Sequence, residues 1–227
     1  MLSQYQASPQ EINIEALYLI FHSLSNNPKK ILVMDPSMPN VDEFVFNLNA
    51  DRKEFNGDMV EKYPRQMSDP LGRPVYVRCF IDADHGFNFI TSRLHSGILF
   101  FVNNALIKSF SKRQNTFELS TFGSELVALR IERGVIVEIR IKLKMFGVPL
   151  ASPEILFCDN NGVVNKTSIP ESTLYNKHNA IKYHCVHEAS TSGILNIRKE
   201  DTAKNLANAL TKLLPYSRKQ ELIGCLL

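Results

Sequence analysis

The chain has 227 residues, 44% of them apolar, which is enough for one large or two small globular domains and excludes a disordered, fibrous or collagenous chain. No apolar run approaches the ~18 residues of a membrane span, and the first fifteen residues lack the charged-then-apolar order of a signal peptide, so a soluble intracellular protein is expected. The net charge of +3 is unevenly spread, with 7 basic and 10 acidic side chains in residues 1–73 against 19 and 13 in residues 74–227; the basic part points weakly to a polyanion and otherwise reads as a solvated surface.

Ser8-Pro9-Gln10-Glu11 has the form of a capping box with Pro at the first helical position. Leu17, Ile20, Phe21 and Leu24 then recur at helical spacing up to Asn27-Pro28, predicting one amphipathic helix. Residues 30–35 (KILVMD) are a candidate short strand with nothing after them to supply a core. Residues 36–74 dissolve into Pro, Asp, Glu, Asn and Gly, the composition of a linker. Beyond Pro74, residues 75–82 (VYVRCFID), 97–102 (GILFFV) and 105–110 (ALIKSF) read as strands, the last two joined at Asn103-Asn104 as a hairpin. A long helix is predicted over residues 121–146, stopping before Gly147 and Pro149. Residues 155–159 (ILFCD) form a buried strand followed by a short helix, and residues 171–191 another helix. Residues 193–199 (GILNIRK) are a fifth strand. Asp201 caps a last helix with Ala203, Leu206, Leu210 and Leu213 as its buried stripe.

This order, β-β-β-α-β-α-α-β-α, makes the first three strands antiparallel neighbours. A right-handed crossover through the long helix then sets the fourth strand parallel to the first and beside it. The first and fourth strands end in Asp82 and Asp159, so two carboxylates meet at the C-terminal edge of the sheet, where α/β sheets place ligands, and Glu125 in the first turns of the long helix lies at the same edge. Like charges gathered this closely raise one another's pKa, and divalent cations compensate them. Carboxylate oxygens suit Mg²⁺ or Mn²⁺, and two such ions about 4 Å apart suit phosphodiester cleavage. From spacing alone, the competing reading is that Asp82 and Asp159 cap turns at strand ends.

At these residues the match becomes specific. Residues 80–84 (FIDAD), 91–97 (TSRLHSG), 111–114 (SKRQ), 124–129 (SELVAL), 157–161 (FCDNN), Lys177-His178 and residues 205–212 (NLANALTK) resemble, in order and approximate spacing, the ribonuclease H domain of copia-type LTR-retrotransposon polyproteins. The helix of residues 8–27 resembles the end of the adjoining reverse transcriptase. The resemblance implies an α/β, ribonuclease H-like fold, a five-stranded mixed sheet flanked by helices with an irregular N-terminal helical extension. It divides the chain into a reverse-transcriptase remnant (1–35), a linker (36–73), a ribonuclease H-like domain (74–215) and a C-terminal tail (216–227), as a fragment of a longer polyprotein.

The resemblance further implies hydrolysis of the RNA strand of RNA–DNA hybrids by a two-metal mechanism, with two Mg²⁺ or, in their place, Mn²⁺. Asp82, Glu125 and Asp159 carry over as catalytic and metal-binding residues. The fourth catalytic position falls at Asn208, where the family has N-L-A-D. An amide there removes a full negative charge, so a degenerate, impaired enzyme and a decaying genomic copy are expected, with a non-catalytic nucleic-acid-binding module of the same fold as the alternative. Arg93, Lys112, Arg113, Lys177 and His178 are candidate contacts to the hybrid, whose A-form shape and 2′-hydroxyls would be read more than its bases. The implied partners are the RNA–DNA hybrid and the reverse-transcriptase portion of the same polyprotein, with no membrane. The implied location is the cytoplasm, in a virus-like particle, or the nucleus.

Other constellations carry less. Cys79, Cys158, Cys185 and Cys225 form no C-x-x-C pair, and His178, His184, Cys185 and His187 lack any familiar zinc spacing. Phe80, Phe100, Phe101 and Phe110 read as core rather than as a base-stacking platform.

Overall fold

The computed structural model describes residues 10–29, 31–40, 66–67, 69–84, 94–116, 118, 120–169, 179–212 and 214–226. The chain divides into two compact units, Met1–Val33 with Leu226–Leu227, and Met34–Cys225.

The first unit holds helix α1 (Glu11–Asn26). Its N-cap is Gln10, whose backbone N–H donates to Asn13 Oδ1 at 2.9 Å. The predicted box on Ser8 and Pro9 lies outside the described residues. Leu17, Ile20, Phe21 and Leu24 are all exposed, and no residue of α1 is buried. Residues 31–35 form no strand. A strand needs a neighbour for its amides and carbonyls along its length, and here the Val33 N–H donates to the Leu226 carbonyl at 3.1 Å without extending into a ladder.

The second unit is built on a five-stranded sheet in the order β3-β2-β1-β4-β5. Its strands are β1 (Val77–Asp84), β2 (His95–Val102), β3 (Ala105–Arg113), β4 (Glu154–Cys158) and β5 (Leu195–Lys199). The first three are antiparallel, whereas β1–β4 and β4–β5 are parallel. The β2–β3 turn falls at Asn103-Asn104, and Asn103 takes a φ of 54°, a left-handed conformation that Asn tolerates better than most residues. The same turn anchors the stretch before the domain: Asn103 Nδ2 donates to the Pro36 carbonyl at 3.1 Å, and the Asn104 N–H to the Ser37 carbonyl at 3.2 Å.

Helix α2 (Thr121–Met145) starts at Ser120, whose hydroxyl accepts from the Gly123 N–H, and ends before Gly147, which has a φ of 70°. Helices α3 (Asn161–Ser168) and α4 (Ala180–Thr191) follow β4, and the part of α4 predicted over residues 171–178 lies outside the described residues. Odd-numbered β1 residues Cys79, Ile81 and Ala83 pack with Leu126, Leu129, Leu156, Val163, Tyr183 and Ile197, so α2, α3 and α4 cover one face of the sheet. The opposite face carries Phe80 stacked on Phe157 at 4.8 Å, with Phe101 edge-on at 5.7 Å. Phe80, Phe100 and Phe101 are buried, as core aromatics are.

Two boundaries differ from expectation in ways that matter to the site. Strand β1 begins at Val77 and runs on to Asp84, so Asp82 lies inside the strand; Val75 makes only an isolated bridge to Leu150. The long last helix is not formed. Residues 202–207 make turns, and helix α5 (Asn208–Thr211) is a single turn. Ala203 is exposed and Leu206 and Leu210 are half-buried, while Asn205, Ala207, Asn208 and Thr211 are buried; Leu213 lies outside the described residues. The reason is local. Asn205 Oδ1 accepts from the Ala207 N–H at 3.1 Å and its Nδ2 donates to the Ile81 carbonyl at 2.7 Å, so the side chain satisfies backbone groups and offers a turn in place of the helix. Helix α6 (Tyr216–Ile223) and a 3₁₀ turn (Gly224–Leu226) complete the described chain.

Candidate active site

Asp82 is held from three sides. Its position in β1 pairs with Gly97 of β2, and this pair faces α5. A Cβ on Gly97 would lie 2.8 Å from Leu210 Cβ and 3.0 Å from the Ala207 carbonyl oxygen, so the missing side chain is what lets α5 sit against the sheet. Ser111 of β3 adds a hydroxyl bond to the Leu210 carbonyl at 2.9 Å. Seated there, α5 delivers the Thr211 hydroxyl to Asp82 Oδ2 and the Lys212 ammonium to Asp82 Oδ1, the latter at 3.0 Å.

Glu125 reaches the same edge from the first turns of α2. Its Oε1 accepts from the Ala83 N–H at 3.1 Å. Gln114, fully buried, fixes the start of α2: its Nε2 donates to Ser96 Oγ at 2.8 Å and to the Ser124 carbonyl at 2.9 Å. Asp159 follows β4 directly. Because Phe80 pairs with Phe157 in the parallel ladder, Asp82 and Asp159 lie level, two residues further along each chain. Asn160, next to Asp159, caps α3 by accepting from the Val163 N–H at 3.2 Å.

Carboxylate oxygens of Asp82, Glu125 and Asp159 lie within 4.8 Å of one another. They line an open cleft of about 460 Å³ together with Ala83, Asp84, Thr121, Asn160 and Lys212. The Glu125 carboxyl is pushed well above the usual range, first by burial and then by the Asp82 and Asp159 charges, while the Ala83 N–H and the Lys212 ammonium pull it back. Burial and then Glu125 raise the neighbouring Cys158 thiol in the same way. Such a cluster is costly without cations, and three carboxylates at this spacing are a donor set for hard divalent ions. The residues present therefore fit such an ion.

Asn208 is buried beside this cluster. Its Nδ2 donates to the Thr202 carbonyl, which turns Oδ1 toward the Lys212 ammonium. Lys112 and Arg113 are on the edge strand β3, the first exposed and the second half-exposed, and are not among the residues that line the cleft. Arg93, Lys177 and His178 lie outside the described residues. Thr211 and Lys212 are not legible as site residues in the sequence, although Lys212 stands four residues from Asn208, a spacing that puts two side chains on one helical face. A second group is not legible in the sequence: Cys79, Glu132 and Glu154 are fully buried, with possible ligand atoms within 4.8 Å of one another. Glu132 is two turns along α2 from Glu125. With both carboxyls ionised, neither has a hydrogen-bond donor; burial pushes both up, and a retained proton supplies the donor. His184 and His187 pack on the Tyr183 ring, and His187 also bonds the Ile169 carbonyl at 3.2 Å.

No protein-family model matches the chain. It is similar to the retrovirus-related Pol polyprotein from transposon TNT 1-94 of Nicotiana tabacum, 24% identical over 163 residues, covering 69% of this chain and 12% of that protein. It is also similar to the retrovirus-related Pol polyproteins from transposons RE2 and RE1 of Arabidopsis thaliana, 26% identical to each over 147 residues, covering 65% of this chain and 10% of theirs. The chain thus spans about a tenth of the length of these relatives. Among solved structures, the N-terminal RNase H domain of Rv2228c from Mycobacterium tuberculosis, fused to maltose binding protein, aligns over 66% of this chain and 98% of that one, at a TM-score of 0.48 and 12% identity. RNase H1 from Halobacterium salinarum NRC-1 aligns over 60% and 94%, at 0.46 and 14%. The native protease-reverse transcriptase of prototype foamy virus aligns over 66% and 23%, at 0.42 and 14%. The chain's homologues are retrotransposon Pol polyproteins, and its mixed sheet in the order β3-β2-β1-β4-β5 with flanking helices is a ribonuclease H-like fold.

Proposed function

We propose that the second unit is a degenerate ribonuclease H domain that hydrolyses the RNA strand of RNA–DNA hybrids with two divalent ions, Mg²⁺ or Mn²⁺, and that Asn208 weakens it. The observation that carries this reading is the convergence of Asp82, Glu125 and Asp159 at the C-terminal edge of neighbouring parallel strands, their oxygens within 4.8 Å. Bound divalent ions would lower the pKa of an attacking water and neutralise the leaving oxygen. The chain's own part is to hold those oxygens in place. Ala83 orients Glu125 through its backbone amide, Thr211 orients Asp82, and the level register of β1 and β4 sets the spacing between Asp82 and Asp159. Asn208 can offer one neutral oxygen where an aspartate would add a charge. Lys112 and Arg113 on β3 would meet phosphates of the hybrid, joined by Arg93, Lys177 and His178. The reverse-transcriptase portion of a longer polyprotein would deliver that hybrid.

The test is hydrolysis of an RNA–DNA hybrid by this chain and by its Asn208→Asp variant in Mg²⁺ or Mn²⁺. The variant is expected to be faster by roughly 30- to 1,000-fold, or about 2–4 kcal/mol of transition-state stabilisation. Equal rates sink the assigned impairment. The engagement of Asp82 by Lys212 favours a second reading, a hybrid-binding module that does not cut; hybrid binding indifferent to chelator, with no cleavage by either variant, would support it.

A further inference from the structure

Resting on the metal-site reading above, we propose that in the chain without hybrid the Lys212 ammonium is a built-in cation of the carboxylate cluster, occupying the place of one of the two divalent ions, so that the hybrid-free site takes up only a single one. Lys212 Nζ lies 3.0 Å from Asp82 Oδ1 and 3.9 Å from Asp159 Oδ2, and also donates to Asn208 Oδ1. It thus meets the side chains a bridging ion would meet, and a Lys ammonium is a compact point charge with three donors. Its placement is fixed rather than incidental. The Lys212 N–H caps α5 by donating to the Asn208 carbonyl at 2.9 Å, and Thr211, one residue before, holds the other oxygen of Asp82. Both oxygens of Asp82 are therefore engaged from α5. Charge points the same way. With Asn208 neutral, the three clustered carboxylates carry at most three negative charges; Lys212 offsets one and a single divalent ion the other two, which leaves a second ion only Asp84 elsewhere on the cleft wall.

The experiment is titration of the whole chain with Mn²⁺, followed by calorimetry and by the spin resonance of the free ion, for the unmodified chain and for Lys212→Met, Lys212→Arg and Asp82→Asn. One Mn²⁺ is expected for the unmodified chain and for Lys212→Arg. Lys212→Met should take up a second ion or bind the first at least about tenfold more tightly, and Asp82→Asn should lose binding. The Mn²⁺-induced rise in melting temperature should also be larger for Lys212→Met, and a variant that folds only when Mn²⁺ is present supports the proposal. Two ions on the unmodified chain, or a Lys212→Met chain with unchanged stoichiometry and affinity, or one that Mn²⁺ fails to fold, overturns it. In those cases Asp82-dependent Mn²⁺ binding by the unmodified chain would leave the metal-site reading standing. Failure of the unmodified chain to bind Mn²⁺ removes both.

Discussion

Thr211 spends its hydroxyl on a carboxylate that has almost no contact with water. Its Oγ1 donates to Asp82 Oδ2, and Asp82 is 1% exposed. Thr211→Val keeps the shape and removes the donor, leaving a buried charge short of a partner. We expect a loss of about 1.5–3 kcal/mol in chelator, since hydrogen bonds to charged groups are worth roughly that much. The urea midpoint at fixed m-value measures it, and an unchanged midpoint would mean that Lys212 alone satisfies Asp82. At this scale the acidic residues were legible because each closes a periodic run: Asp82 and Asp159 follow apolar strands, and Glu125 opens a long helix. Thr211 and Lys212 were not. A Thr-Lys pair after an apolar stripe reads as the solvated end of a helix, and only the close approach at Gly97 shows what the two residues face.

The element that places these residues, α5, is seated by an absence. Gly97→Ala would put a methyl 2.8 Å from Leu210 Cβ and Thr211 Cγ2 and 3.0 Å from the Ala207 carbonyl oxygen. Part of that contact is backbone, so α5 must move as a unit. The expected cost is ~1–3 kcal/mol, the usual range for overpacking, and it should come with altered Mn²⁺ affinity because Thr211 and Lys212 move off Asp82. Thermal melts with and without Mn²⁺ test both parts; a stability loss with unchanged Mn²⁺ affinity would show that the cluster does not depend on the seat of α5. The five strands of the sheet and α2 are legible in kind, since alternation and helical spacing report which face is buried. The last helix is not, because Asn205 trades helical backbone bonds for a bond to β1, and no local pattern announces a partner more than a hundred residues away. The strand expected over residues 30–35 failed for the complementary reason: an apolar run needs an available edge.

For the molecule as a whole, the buried Glu132–Glu154 pair links stability to pH. Burial raises the Glu132 carboxyl to about 8, with the bond to Glu154 opposing part of the rise. Glu154 is raised by burial and by Glu132, against the pull of Arg140. A carboxyl whose folded pKa exceeds its unfolded value near 4.5 holds its proton in the folded chain after the unfolded chain has lost it. Its contribution is therefore fully present below about pH 4.5 and is lost as pH rises through about 8. Glu132 alone gives a fall of about 3 kcal/mol between pH 5.5 and pH 8, at 1.36 kcal/mol per unit. Glu125 acts in the same direction when no cation is bound, so the comparison belongs in chelator. Urea unfolding at the two pH values should show the folded chain weaker at pH 8, and Glu132→Gln, which stays neutral and keeps a donor for Glu154, should reduce the difference. If stability is level or rises across this range, or if Glu132→Gln leaves the slope untouched, Glu132 does not hold a proton in the folded chain. The same measurement separates the two acidic clusters on α2: adding Mg²⁺ should recover the part that belongs to Glu125 and leave the part that belongs to Glu132, whose surroundings are closed to solvent.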